Sequence, residues 1–276
     1  MAIPKIIHYC WFGNKPIPEL EAKYISGWKK KLHDYEFKLW NEHNFNIDST
    51  KFTKQVASVY KWGFIVDYIR AYAVFNCGGI YLDTDVEIIK KFDDLLDAAC
   101  FVGFEEVGKV NPGSAFGGEK GCKIALEIMN FYENYDFIKE DGSLNLTPSP
   151  KILSSILLKY GFKQNDMYQK LPEITIYPCE YFTPKSFKTG RTKITENTYS
   201  IHHFAGSWVP EEKQELIHER WDFHKKYGDD EYLVGLYEQV KEHRKKNVDF
   251  ISLKKLYRIA IKRTFSKLLG KTKNNG

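Results

Sequence analysis

Cys77-Gly78-Gly79-Ile80-Tyr81-Leu82-Asp83-Thr84-Asp85-Val86 is the stretch on which the reading of the whole chain turns. An apolar, β-prone run ends in two aspartates separated by one residue. Side chains two apart on a strand point to the same side, so Asp83 and Asp85 are expected to offer two carboxylates to one point. Like charges held that close split their pKa values unless a cation sits between them. A hard divalent ion, Mg²⁺ or Mn²⁺, satisfies the pair and brings phosphate oxygens with it. An isolated Asp-x-Asp reads first as two strand-end carboxylates opening a solvated turn, and it is the neighbouring segments that reverse this.

Upstream, Val66–Phe75 carries apolar residues at spacings of three and four, the period of a buried helix. Asp67 and Arg70 share one face of it, and Gly78-Gly79 stops it and reverses the chain. The reversal brings the helix beside the Asp pair, so two acids and an arginine from one short segment converge. Earlier, Lys5–Trp11 reads as a buried strand, Pro18–Leu32 as a helix and Tyr35–Trp40 as a second strand. This β-α-β opening suits a nucleotide-binding α/β fold. Further helices are expected over 51–61, 62–76, Cys122–Tyr135, Lys151–Tyr160, 210–226, 231–246 and 251–269. Further strands are expected over Ile80–Leu82, Val86–Ile89, Cys100–Phe104, Ser114–Gly117, Ile174–Tyr177 and Tyr199–Phe204. Asn111–Gly118 is Gly-rich and reads as a turn-rich loop that can wall a pocket.

Three separated motifs resemble one family. Asp67-x-x-Arg70 followed by Gly78-Gly79-Ile80-Tyr81-Leu82-Asp83-x-Asp85 is similar to the signature of DxD-type sugar-nucleotide glycosyltransferases. The subgroup contains capsular-polysaccharide transferases and fungal initiating mannosyltransferases, with the catalytic domains of large glucosylating toxins as distant relatives. Ile3–Gly13 resembles its opening strand, and Ile201-His202-His203-Phe204-Ala205-Gly206-Ser207-Trp208 its late motif.

The resemblance implies a GT-A-like α/β domain with a mixed central sheet over 1–240. It implies a metal-dependent retaining transfer from a nucleoside-diphosphate sugar, UDP-linked in preference to GDP-linked, to a saccharide acceptor in cell-surface polysaccharide synthesis. Asp67 and Arg70 then contact the donor sugar. Trp11 stacks the base while backbone groups of Tyr9 or Cys10 read its edge. Tyr81 lies near ribose or pyrophosphate, Asp83 meets ribose and the metal through water, and Asp85 ligates the metal. Of two adjacent strand histidines at most one faces the metal, and the His-x-x-Gly pattern of related transferases selects His203. Trp208 can donate to the β-phosphate. Glu105, Glu106, Asn145 and Thr147 are further candidates for sugar or acceptor contacts.

Two other readings compete. Asp83 and Asp85 also fit the nucleophile and general acid of a haloacid-dehalogenase-like phosphatase, with Asp229-Asp230 as its late acidic motif. A non-enzymatic sugar- or membrane-binding module is the other, and it leaves the metal-diphosphate pattern unexplained.

The chain has 276 residues, 43% of them hydrophobic and 16% aromatic, enough for a packed core. Its five cysteines, odd in number and without CxxC spacing, fit neither a disulfide framework nor a zinc site, and point to a reducing cytosol. No signal peptide and no apolar run of the ~20 residues that span a bilayer is read. Charge is uneven: residues 241–276 hold twelve Lys/Arg against two Asp/Glu, so their net +10 leaves the remainder of the +5 chain at −5. This basic amphipathic tail, 241–276, is expected to lie on an anionic membrane surface at the inner face of the plasma membrane. A lipid-linked acceptor would suit that location, and no nucleic-acid-reading module accompanies the tail. Truncation after about residue 245 should leave donor hydrolysis intact while lowering co-sedimentation with anionic vesicles. Equal pelleting of both forms would make the tail structural instead.

Overall fold

The computed structural model describes residues 2–206, 209, 211–228 and 235. Seven strands form a mixed central sheet in the order β2-β1-β3-β6-β5-β8-β7. They are β1 (Ile6–Cys10), β2 (Glu36–Trp40), β3 (Gly79–Tyr81), β5 (Cys100–Glu106), β6 (Lys109–Gly118), β7 (Gln169–Lys170) and β8 (Thr175–Tyr177). β1 runs parallel to β2 and β3, β6 is antiparallel to both β3 and β5, and β8 is parallel to β5 and antiparallel to β7. A second, two-stranded sheet pairs β4 (Val86–Ile88) with β9 (Ser200–His202).

Alternation along the strands sandwiches the sheet between two cores. Ile7, Tyr9, Ile80, Phe101 and Ala115 face one cluster; Cys10, Tyr81, Val102 and Phe116 face the other. The helices are amphipathic partners for these faces. α1 (Glu19–Lys31) covers the first, and its Trp28 indole donates to the Val86 carbonyl at 2.7 Å, tying the helix to β4. α2 (Lys51–Ser58), α3 (Trp62–Cys77), α4 (Lys123–Glu133) and α5 (Ser149–Leu158) cover the second. α3 is mostly buried and ends at Gly78, whose φ of +68° supplies the reversal into β3. α6 (Cys179–Phe182) follows β8, and α7 (Glu211–Tyr227) follows β9.

The described residues fall into two compact units. The first holds 2–187 and 192–214; the second holds 188–191 and the chain from Glu215. Within the second, Gly190 abuts the Trp221 ring, and Arg191 donates to the His224 carbonyl at 2.9 Å. The expected helix over 251–269, that over 231–246 apart from the helical Gly235, the boundary at 240, the basic tail, Asp229-Asp230 and Trp208 lie outside the described residues. No helix among the described residues is long and apolar enough to cross a membrane.

The mixed α/β expectation is met, with two local corrections. The Asp pair does not continue a strand: β3 stops at Tyr81, and the chain turns through Asp83–Asp85 before entering the second sheet. The expected strand Ser114–Gly117 is present but longer than read, for the Gly-rich Asn111–Gly118 is not a loop and lies wholly within the ten-residue strand β6. Its glycines are small because their neighbours are large. A Cβ on Gly117 would stand 2.2 Å from the ring of its cross-strand partner Phe101. β7 and α6, too short for a periodicity to register, carry no sequence signal.

Gly117→Ala is therefore expected to destabilise the fold by about 1–3 kcal/mol, the usual range for overpacking. Gly27→Ala, in α1 with nothing within 4 Å of its added Cβ, should stabilise by about 0.5–1 kcal/mol. Denaturant melts of the two variants check the sign of each.

Candidate active site

The turn between β3 and β4 is fastened on several sides. The Leu82 amide donates to the His8 carbonyl at 3.0 Å, that of Asp83 to Gly113 at 2.8 Å, and that of Val86 to Asp83 at 3.1 Å. Just past β9, the His203 amide donates to the Asp85 carbonyl at 3.1 Å. The turn lies at the carboxyl end of β3 and, since β1 and β3 are parallel, at the carboxyl end of β1 also. That is the edge at which open α/β sheets bind ligands.

Asp83, Asp85 and His202 each bring one ligand atom into a group whose members lie within 4.8 Å of one another. His202 Nε2 is 3.2 Å from Asp85 Oδ1 and 3.9 Å from Asp83 Oδ2. Each carboxylate has one oxygen fastened and one offered. Asp83 Oδ1 accepts from the Tyr81 hydroxyl at 2.8 Å and lies 3.5 Å from Arg70 Nη2. Asp85 Oδ2 accepts from the Ala205 amide at 2.7 Å. The remaining oxygens face the imidazole.

The electrostatics follow from burial and these partners. Burial alone would push His202 down, but the charge and hydrogen bond of Asp85, with Asp83 and Glu105 nearby, raise its pKa to about 9. Burial would push Asp85 up, but His202 and the Ala205 amide outweigh it and lower it to about 2. The imidazolium thus neutralises the carboxylates where a cation would. Two carboxylate oxygens and an imidazole nitrogen, converging and already demanding positive charge, fit Mn²⁺ or Mg²⁺.

Beneath the pair, Asp67 and Arg70 are buried. Arg70 Nη2 is 3.0 Å from Asp67 Oδ1, its Nη1 donates to Ser149 Oγ at 3.1 Å, and its guanidinium lies 5.1 Å from the Tyr81 ring centroid. Burial raises the Asp67 pKa to about 6 against the opposing charge of Arg70. The two therefore meet each other, Ser149 and Asp83. Tyr81 is buried too and orients Asp83.

Among the other sequence-derived candidates, Trp11 is partly exposed at the end of β1, its indole donating to the Lys15 carbonyl at 2.6 Å. Tyr9 packs edge-on against Trp28, and Cys10 is buried beside it in β1. His203 is a correction. Its Nε2 sits 3.0 Å from Glu87 Oε2 and its ring stacks on Tyr24 at 4.8 Å, while His202 joins the carboxylates. Strand alternation permits one histidine of the two, and β9 turns the first inward. Glu106 pairs with Lys109, and the Thr147 hydroxyl donates to Asn145 at 3.1 Å.

Asn111 and Gly113 join the site without a sequence signal that assigns them to it. Asn111 Nδ2 donates to Glu105 Oε2 at 2.6 Å and lies 3.3 Å from His202 Nδ1, while its Oδ1 accepts from the Gly113 amide at 2.7 Å. A Cβ on Gly113 would stand 2.0 Å from Asp83 Oδ2. The Asn-Pro-Gly-Ser run is legible, but nothing local says that it lies against the Asp pair.

His202→Ala should weaken Mn²⁺ binding by at least about tenfold, the scale on which metal-site residues act. His203→Ala should leave it nearly unchanged and lower the melting temperature through the lost Tyr24 stack. Calorimetric titration with Mn²⁺ ranks the two variants, and the reverse ranking would return the role to His203.

Residues 18–102 match a family described as a glycosyltransferase sugar-binding region containing a DXD motif. The chain is similar to two Schizosaccharomyces pombe proteins, inositol phosphoceramide mannosyltransferase 3 (30% identical over 155 residues, 49% of this chain) and inositol phosphoceramide mannosyltransferase 1 (24% over 182 residues, 62% of this chain). It spans 40% and 56% of their respective lengths. A solved structure titled PaToxG Glycosyltransferase aligns over 57% of this chain and 70% of its own, with a TM-score of 0.45 at 17% identity. Residues 18–102 are thus similar to the DXD-containing sugar-binding region of glycosyltransferases, and Asp83-Thr84-Asp85 falls within them.

Proposed function

We propose that this protein is a metal-dependent, retaining glycosyltransferase that moves a hexosyl group from a UDP-sugar to a saccharide hydroxyl during cell-surface polysaccharide assembly. The observation that carries the reading is the convergence of Asp83, Asp85 and His202 within 4.8 Å inside a matched DXD region. Asp83, Asp85 and His202 would hold Mn²⁺ or Mg²⁺, whose charge stabilises the diphosphate as it leaves.

The chain's own residues do the arranging. Tyr81 and Arg70 fix one oxygen of Asp83 and Ala205 one oxygen of Asp85, so neither carboxylate must reorganise when the donor binds. Trp11, at the carboxyl end of β1, offers a platform for the base. In the transfer, the C1–O bond of the donor breaks with its electron pair going to the β-phosphate oxygen. The acceptor oxygen bonds C1 on the same face, and its proton passes to that phosphate oxygen. This route requires no side-chain nucleophile. A lipid-linked acceptor and a peripheral position at the inner membrane face extend the reading to the basic tail.

The test is a panel of UDP- and GDP-sugars, a mannosyl donor among them because two relatives are named mannosyltransferases. Slow release of free nucleoside diphosphate should require Mn²⁺ or Mg²⁺ and stop with chelator. Asp85→Asn should lower it by about two orders of magnitude or more while the protein stays folded. Release of inorganic phosphate from sugar phosphates, with no nucleotide-sugar turned over, would instead favour the phosphatase reading.

A further inference from the structure

Cleavage of a nucleotide-sugar adds one negative charge to the diphosphate, and a transferase gains rate from a cation that meets this charge as it forms. Arg70 is badly placed for that task. It is 4% exposed, and its terminal nitrogens are engaged by Asp67, Asp83 and Ser149. The segment after α6 brings another cation to the strip of backbone that is bonded to the turn.

Lys185 is half-buried, and its Nζ donates to the His203 carbonyl at 2.9 Å. The same short strip of backbone wraps Asp85: the His203 amide donates to the Asp85 carbonyl at 3.1 Å and the Ala205 amide to its Oδ2 at 2.7 Å. Aromatic contacts hold the two segments together. The ring centroid of Phe187 lies 5.2 Å from that of Phe204, which lies 4.5 Å from the His202 ring. Phe204 adopts a positive φ of +59°, an uncommon conformation for a bulky residue, in the turn that carries these contacts. Burial pushes the Lys185 ammonium down while the charge of Asp85 raises it, so the two groups are within electrostatic reach.

We propose that Lys185 is a catalytic cation of this site, its ammonium binding the diphosphate of the donor and meeting the charge released on the departing nucleoside diphosphate. The assignment rests on the reading of the site as a nucleotide-sugar transferase. A lysine is suited to it as a compact point charge with three donors on a flexible stem. The bond that breaks is C1–O of the donor, its electron pair stays on the phosphate oxygen, and Lys185 keeps its proton throughout.

The test compares wild type, Lys185→Met and Lys185→Arg with four probes: Mn²⁺ alone, uridine, UDP with Mn²⁺, and pyrophosphate with Mn²⁺. A melt of each variant reports folding. The methionine variant should bind Mn²⁺ alone and uridine as wild type does. Its affinity for UDP and for pyrophosphate should fall about 10- to 100-fold, the range of a lost charged hydrogen bond, and donor hydrolysis should fall at least as far. The arginine variant should recover much of the diphosphate affinity. Equal loss for uridine and UDP, or no loss for either, would overturn the assignment, as would an arginine variant as weak as the methionine one. Absence of nucleotide and pyrophosphate binding by the wild-type protein would overturn the transferase reading itself and Lys185's role with it. Normal wild-type binding with an unaffected methionine variant would remove Lys185 alone.

Discussion

Asp83 and Asp85 repel each other, and the structure around them is organised to keep them together nonetheless. The turn that carries them is bonded to β1 through Leu82, to β6 through Asp83 and to the residue that follows β9 through Asp85. Three strands that are distant in sequence must be in place before the turn acquires its shape. The sheet order then has a consequence for chemistry. Because β3 is inserted between the parallel β1 and the antiparallel β6, the exit of β1, the turn and the Asn111–Gly113 segment meet at one edge. Gly113 is the tightest point of that meeting, since any side chain there would occupy the place of an Asp83 oxygen.

The buried Asp67–Arg70 pair contributes position more than stability. Desolvation of two ions offsets most of their attraction, so such pairs add little net stability, whereas removing one partner strands a buried charge. The opposing effects at Asp67, where burial raises the pKa against the charge of Arg70, are the signature of that balance. What the pair secures is the direction of Arg70 toward Asp83. With Tyr81 on the same oxygen, Asp83 presents its other oxygen toward the imidazole. The arrangement is preorganised: the donors are bonded in place ahead of the ligand, so little reorganisation remains for the binding step.

Much of this was legible in the sequence because the informative residues are close in the chain. The three-residue spacing of Asp67 and Arg70, the Gly78-Gly79 reversal and the Asp83–Asp85 pair lie within 19 residues, and helix and strand periods suffice to bring them together. The β-α-β opening was readable for the same reason. What escaped is non-local. The expected strand Ser114–Gly117 is only the core of β6, and its full length is not legible because its glycines serve neighbours contributed by β5 and by the turn: a glycine chosen to admit Phe101 or Asp83 looks, in one dimension, like a glycine chosen for a bend. The choice between His202 and His203 depends on which face of the β4–β9 sheet is turned toward the Asp pair, a matter of pairing that spacing to Gly206 does not encode. Lys185 carries no motif at all, and its placement follows from aromatic contacts between segments 17 residues apart, Phe187 and Phe204.

The central claim is that Asp83, Asp85 and His202 form one cation site on which a nucleoside diphosphate is held. Its most direct test is diffraction from crystals grown with UDP and Mn²⁺, with data collected at the manganese absorption edge. The account predicts a single strong anomalous peak bounded by the free oxygens of Asp83 and Asp85 and by His202, with diphosphate oxygens completing its coordination. A manganese peak away from these three residues, or ordered UDP at the end of β3 with no metal beside it, would contradict it.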